Sequence, residues 1–107
     1  PKNHDALYWE HSDGKRSLRI EYRTEDQSVV GFNLMGWRFR QEVCNEWIQA
    51  GTPLREVVKH LDKADFDPEF HEDNREEIMN VYEQETGKTL PRPKQKGFFS
   101  RLFSKAS

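Results

Sequence analysis

The chain has 107 residues, 34% of them charged and 34% hydrophobic, and a formal net charge of -2. Its mean hydropathy is -1.05, and no apolar run approaches the roughly 18–20 residues that a membrane-crossing helix needs. The single cysteine, Cys44, excludes an intrachain disulfide. This length holds one domain and a tail, and three Trp, three Tyr and seven Phe supply the large rings of a modest core. With a lone cysteine and no apolar leader in "PKNHDALYWEHSDG", the expected location is cytoplasmic.

The pattern begins with strands. "ALYWEH" (6–11) alternates and is aromatic, and the Asp13-Gly14 pair that follows is a strong hairpin signal. In "SLRIEYR" (17–23), Leu18, Ile20 and Tyr22 take one face while Arg19, Glu21 and Arg23 take the other, the signature of a half-buried antiparallel strand. "TEDQ" makes a second turn. "SVVGFNLM" (28–35) is a third strand, with Val30, Phe32 and Leu34 expected on the apolar side.

The period then changes. Phe39, Val43, Cys44, Trp47 and Ile48 recur at helical spacing, Trp47 central on the stripe, and Gly51 is placed to end that helix. In "TPLREVVKHLDKA", Thr52 is the expected N-cap, Pro53 the first helical residue, and Leu54, Val57, Val58 and Leu61 the buried stripe. A third helix is expected from Pro68, capped by Asp67 and ended by Gly87, with Ile78, Val81 and Tyr82 packing in its second half. Its first half is very polar, with Phe70 the obvious core contact. "KTLPRPKQK" is basic, carries two prolines and reads as a linker without core residues. The expected architecture is α+β: a three-stranded antiparallel meander followed by three helices, with a flexible basic C-terminal tail. The expected divisions are a domain over 1–87, a linker over 88–97 and an amphipathic tail over 98–107.

Charge divides the same way. Residues 88–107 hold six basic residues and no acid, whereas residues 1–87 hold eleven basic against nineteen acidic residues, a net -8. An acidic body with a basic arm is implied.

Counted from Asp65, acids at positions 1, 3, 5, 9 and 12 (Asp65, Asp67, Glu69, Asp73 and Glu76) match side-chain ligand positions of an EF-hand loop. Phe70, however, stands where that loop needs glycine, and Pro68 sits at position 4. A capped, acid-rich helix start explains the same letters. His60 and Cys44 could be imagined as a base and a nucleophile, but Cys44 falls on the apolar side of its helix, where a cysteine serves as a small hydrophobe. No nucleotide-binding loop or hydrolase motif occurs, so no catalytic residue, metal site or cofactor is expected. "GWRFRQE" interleaves Arg38 and Arg40 with Trp37 and Phe39, a composition that also binds nucleic acid. The simpler reading anchors Trp37 and Phe39 in the core and turns the arginines to water.

The tail is the most distinctive stretch. On a helix of about 100° per residue, Phe98, Phe99, Leu102 and Phe103 share one side, and Ser100, Arg101, Ser104 and Lys105 share the other. A segment this short orders only on contact with something apolar, and the surrounding lysines favour an anionic lipid surface. Over about ten residues, "KGFFSRLF" resembles the short C-terminal membrane-targeting tails of bacterial septum-positioning ATPases, and the resemblance implies a bacterial protein peripheral at the inner face of the membrane. A sliding-clamp peptide fits less well, because the spacing from Gln95 to Leu102 and Phe103 is wrong.

The sequence therefore points to a non-enzymatic cytoplasmic adaptor or regulatory protein. Its acidic body would bind a protein partner. Lys94, Lys96, Phe98, Phe99, Arg101, Leu102, Phe103 and Lys105 would bind an anionic membrane or a partner. The alternative is a nucleic-acid-associated regulator using Trp37, Arg38, Arg40 and the basic arm, and the weaker one a metal- or thiol-dependent enzyme.

Overall fold

The computed structural model of the protein describes residues 3–92. Three antiparallel strands, β1 (His4–Glu10), β2 (Ser17–Arg23) and β3 (Val29–Met35), form a sheet in the order β1-β2-β3. Three helices follow: α1 (Gln41–Gln49), α2 (Leu54–Lys59) with a 3-10 turn over Leu61–Lys63, and α3 (Pro68–Thr86). This is the expected α+β arrangement. The helices pack on one face of the sheet, α3 against β1, α1 against β3, and α2 against α3. The core lies between, where Leu7, Trp9, Leu18, Ile20, Tyr22 and Val29 meet Leu54, Val57, Val58, Leu61, Ile78, Met79 and Tyr82.

The strand pattern breaks at one place. The register slips between Glu21, which pairs with Gly31, and Tyr22, which pairs with Val29. Val30 is the extra residue of this bulge and faces outward, while Val29 is fully buried. The expectation that Val30 shares the inner face with Phe32 and Leu34 is thereby corrected, because a bulge inverts the two-residue alternation on one side of itself.

Two helix starts also differ from expectation. Thr52 does not cap α2, and Pro53 occupies the N-cap position. The Thr52 carbonyl accepts from Val29 N–H at 2.9 Å, and Leu54 N–H donates to the Gln27 carbonyl at 2.8 Å, so residues 52–54 extend the sheet beside the start of β3. Helix α1 begins at Gln41, which leaves Trp37 and Phe39 on an extended segment before it. Phe39 pairs with Asp65 in an isolated antiparallel bridge. Trp47 is only partly buried, its ring 5.9 Å from Phe32 at the edge of the core. For α3 the expectation holds: Asp67 accepts from Phe70 N–H at 3.2 Å, and Gly87 closes the helix in the left-handed region at φ 72°.

Leaving β3, the chain passes through Gly36 at φ 66°, where a Cβ would run into the carbonyl oxygen of Lys15. Only glycine combines that conformation with so close an approach, and the turn it makes sends Trp37 beneath the sheet's end.

The boundary at Gly87 needs correction. Leu90 is only 4% exposed and belongs to the core cluster. Its N–H donates to Glu83 at 2.8 Å, and Arg92 binds both Glu83 (2.9 Å) and Glu76 (3.1 Å) and donates to Asn80 at 2.8 Å. Residues 88–92 therefore fold back along α3. Leu90→Ala should cost about 2–5 kcal/mol and lower the melting temperature by roughly ten degrees or more, whereas Lys88→Ala should leave it unchanged; thermal melts of the two variants check this.

Candidate functional site

The extended segment at 38–40 pairs with 64–66: Arg40 N–H donates to the Ala64 carbonyl at 2.6 Å, and Phe66 N–H to the Arg38 carbonyl at 3.3 Å. Alternation along this two-stranded piece turns Phe39 and Asp65 inward and Arg38, Arg40 and Phe66 outward. Phe66 remains 54% exposed. The Arg40 guanidinium lies 4.7 Å from its ring centre and that of Arg38 lies 5.8 Å away. Beside them, Arg16 from the first hairpin stacks over Phe70 at 4.5 Å. A shallow cleft of about 200 Å³ runs between, lined by Arg16, Gly36, Trp37, Arg38, Phe66, Asp67 and Phe70.

Beneath this surface the rings support one another. Trp37 meets Phe39 and Phe70 edge-on, each at 4.9 Å, and lies 5.6 Å from Trp9. Its indole N–H donates to Asp65 Oδ1 at 2.9 Å, an oxygen that also accepts Asp67 N–H at 2.7 Å. One buried carboxylate thus fixes the tryptophan under the cleft and the residue that caps α3. Burial raises the Asp65 pKa above the usual carboxylate range, against the lowering effect of those two hydrogen bonds.

Electrostatics single this surface out. The body carries a large excess of acid, and Glu69, Glu72, Asp73, Glu76 and Glu77 of α3 are all exposed. Yet among the described residues Arg16, Arg38 and Arg40 form no ion pair, nor does Arg55, whose guanidinium is taken up by the Thr89 carbonyl at 2.9 Å, while Arg19, Arg23, Arg75 and Arg92 each do. Guanidinium groups stacked on rings and unpaired to carboxylates keep their planar donor forks open to an incoming anion.

The structure brings Trp37, Arg38 and Arg40 together, with Trp37 buried and both arginines exposed. Arg16, Phe66 and Phe70 complete the surface and were missed in the sequence. No motif marks Phe66, Phe70 reads as a core contact of α3, and Arg16 lies far away along the chain. Lys94, Lys96, Phe98, Phe99, Arg101, Leu102, Phe103 and Lys105 lie outside the described residues.

Other sequence candidates resolve differently. Burial alone pushes the Cys44 thiol up to about 11, so it stays protonated near neutrality and is a poor nucleophile. His60 is partly exposed, its Nε2 3.8 Å from the Glu56 carboxylate. The calcium-loop spacing falls largely on α3: Glu69, Asp73 and Glu76 lie within the helix, Asp67 caps it and Asp65 is buried. Among the described residues no group of three or more His, Cys, Asp or Glu is placed to hold a metal ion. In comparisons with known proteins, no family model, no curated protein and no solved structure matches this chain.

His71, in the polar first half of α3, is buried, and its Nδ1 has no hydrogen-bond partner among the described residues. Burial, reinforced by Arg75, lowers its pKa below the ordinary 6.5. The unfolded chain therefore takes up this proton first as pH falls. The stability that depends on neutral His71 is present above pH 6.5 and is lost as pH falls through the lower, folded-state value. The raised pKa of Asp65 acts in the opposite sense and favours the folded state as pH falls. The melting temperature should drop on going from pH 7 to pH 5, and His71→Gln should flatten that slope; an unchanged slope would remove His71 as its cause.

Proposed function

We propose that this protein is a non-enzymatic adaptor whose body binds a protein partner through the Arg16–Arg38–Arg40–Phe66 surface, and whose C-terminal tail holds it on an anionic membrane. The observation that carries the reading is that Arg38 and Arg40 lie over half-exposed Phe66, with Arg16 over Phe70 beside them, all three without carboxylate partners among the described residues, in a body with an excess of negative charge. Arginine and aromatic side chains dominate the energetics of protein interfaces. A half-exposed phenylalanine beside two guanidinium groups offers an apolar anchor next to anion-binding forks. The fitting partner is an acidic segment carrying an apolar side chain that fills the cleft beside Trp37 and Phe70.

The tail supports the second half of the reading through its sequence. Phe98, Phe99, Leu102 and Phe103 would enter the headgroup region, and Lys94, Lys96, Arg101 and Lys105 would hold the anionic surface. Full burial of such side chains is worth about 1.5–3 kcal/mol each, but interfacial insertion is partial, and ordering the segment costs about 1 kcal/mol or more per residue. Basic residues add about 1 kcal/mol each at an anionic surface. The sum describes reversible, salt-sensitive attachment. Because the chain up to Arg92 is clasped to α3, a tethered body would keep a short lead to the surface.

The same arginines and Phe66 favour one second reading, in which a nucleobase stacks on Phe66 and phosphates take the guanidinia. The acidic body weighs against it, since such binding rests on phosphate neutralisation.

One sedimentation assay tests these parts together. Vesicles containing anionic lipid, incubated with native cell extract, should sediment the parent protein at low salt together with a bound protein, and should release both as salt rises. Phe99→Ser/Phe103→Ser should abolish sedimentation. Arg38→Glu/Arg40→Glu should leave the adaptor on the vesicles and lose the bound protein. Equal sedimentation of the phenylalanine variant would end the membrane reading. Arginine-dependent retention of a single-stranded oligonucleotide, with no captured protein, would replace the partner reading with the nucleic-acid one.

A further inference from the structure

The edge strand β1 has no neighbouring strand on its outer side among the described residues. The hairpin ladder fixes which of its backbone groups face outward. Thr24 N–H donates to the Asn3 carbonyl, and His11 N–H to the Arg16 carbonyl. Odd positions of β1 therefore bond to β2. His4, Ala6, Tyr8 and Glu10 turn their N–H and C=O groups to the open edge. The strand contains no proline, lysine or bulge of the kind that blunts natural edges. Its one guard is Asp5, whose Oδ1 accepts from Ala6 N–H at 2.8 Å.

The side chains follow the same alternation. Leu7 and Trp9 are buried beneath the sheet, while Tyr8, 48% exposed, and its even-numbered neighbours stand on the bare outer face. We infer that β1 pairs antiparallel with β1 of a second copy, about a two-fold axis through Leu7, to give a continuous six-stranded sheet. Geometry selects the occupant and the register. Only even positions can exchange outward hydrogen bonds, so the centred alignment sets His4 opposite Glu10, Ala6 opposite Tyr8, and the same pairs again across the axis. Each end then places an imidazole beside a carboxylate, and each tyrosine ring beside a small alanine. The next registers of the same parity shorten the ladder and set Glu10 against Ala6, or Tyr8 against His4. A parallel arrangement in register stacks Glu10 on Glu10 and His4 on His4. The sequence of this strand is thus complementary to itself in one alignment only.

On pairing, the Tyr8 carbonyl of the second copy replaces Asp5 as acceptor for Ala6 N–H. The Asp5 contact competes with the dimer, and the association is reversible and concentration-dependent.

Analytical ultracentrifugation of the full chain over a concentration series tests the inference. A monomer–dimer equilibrium is expected. Ala6→Pro removes an outward donor without touching the β2 ladder and should weaken dimerisation at least tenfold. Glu10→Lys removes the carboxylate that faces the imidazole, His4→Glu sets two carboxylates opposite one another, and each should weaken dimerisation, while the combined His4→Glu/Glu10→Lys variant should restore it. Melting temperatures close to the parent's would show that each variant is folded. Asp5→Ala should strengthen the dimer. A chain that stays monomeric throughout, or a dimer indifferent to Ala6→Pro and to the charge exchange, overturns the inference.

Discussion

The hydrogen bond from the Trp37 indole to Asp65, 2.9 Å long and buried, is the contact on which this fold turns. Three parts of the chain meet there. Gly36 ends the sheet and delivers Trp37, residues 64–66 pair with 38–40, and the same carboxylate oxygen receives the backbone N–H of Asp67, the cap of α3. Without an acceptor the indole N–H would be buried unpaired, at a cost of about 1–3 kcal/mol. With it, sheet end and helix start hold a fixed relation. A carboxylate is an expensive way to make this joint, since burial disfavours its charge. It accepts two donors at one oxygen and stacks three segments within a few ångströms.

What this joint positions is the surface above it. Phe66 is held outward because Asp65 before it is held inward, and Arg38 and Arg40 follow the same alternation on the opposite segment. The surface sits at the start of acidic α3, whose Asp67 and Phe70 line the cleft, yet Arg16, Arg38 and Arg40 form no ion pair among the described residues. The adaptor reading rests on those open guanidinium groups. In that reading, long-range repulsion from the acids would discourage indiscriminate binding to polyanions, while the local forks and ring would favour a partner that brings both a carboxylate and an apolar anchor. The open β1 edge and the Arg38–Arg40–Phe66 surface lie on different elements, so the proposed self-association and the proposed partner binding would use different parts of the molecule.

The sequence revealed what depends on local period. β2 alternates as its letters do, the Leu54–Leu61 stripe is buried as spaced, and the Asp67 cap and Gly87 stop lie where their chemistry places them. It concealed what depends on partners distant along the chain. Val30 and Val29 exchange roles because of a bulge that only the register shows. Thr52 looked like a cap but is recruited by the edge of β3. Leu90 has no periodic companion to mark it as core, and Arg92 looked like part of a solvated basic run until Glu76 and Glu83 were found beside it. Asp65, His71 and Asn74 lie in a very polar stretch where no periodic pattern marks them, yet all three are buried. The candidate surface was half visible: "GWRFR" announced Arg38 and Arg40, whereas Phe66, Phe70 and Arg16 join them only through tertiary structure.

Hydrogen exchange of the Trp37 indole proton, followed by NMR in the full-length protein, tests the central contact most directly. If Asp65 holds that proton in the core, its exchange should be slowed to nearly the level of the backbone amides of Ile20 and Ile78, and Asp65→Ala should lower that protection sharply while Ile20 remains the slower of the two. An indole that exchanges as fast as an exposed tryptophan in the parent protein would mean that the joint is not formed, and that the surface above it is not held in place.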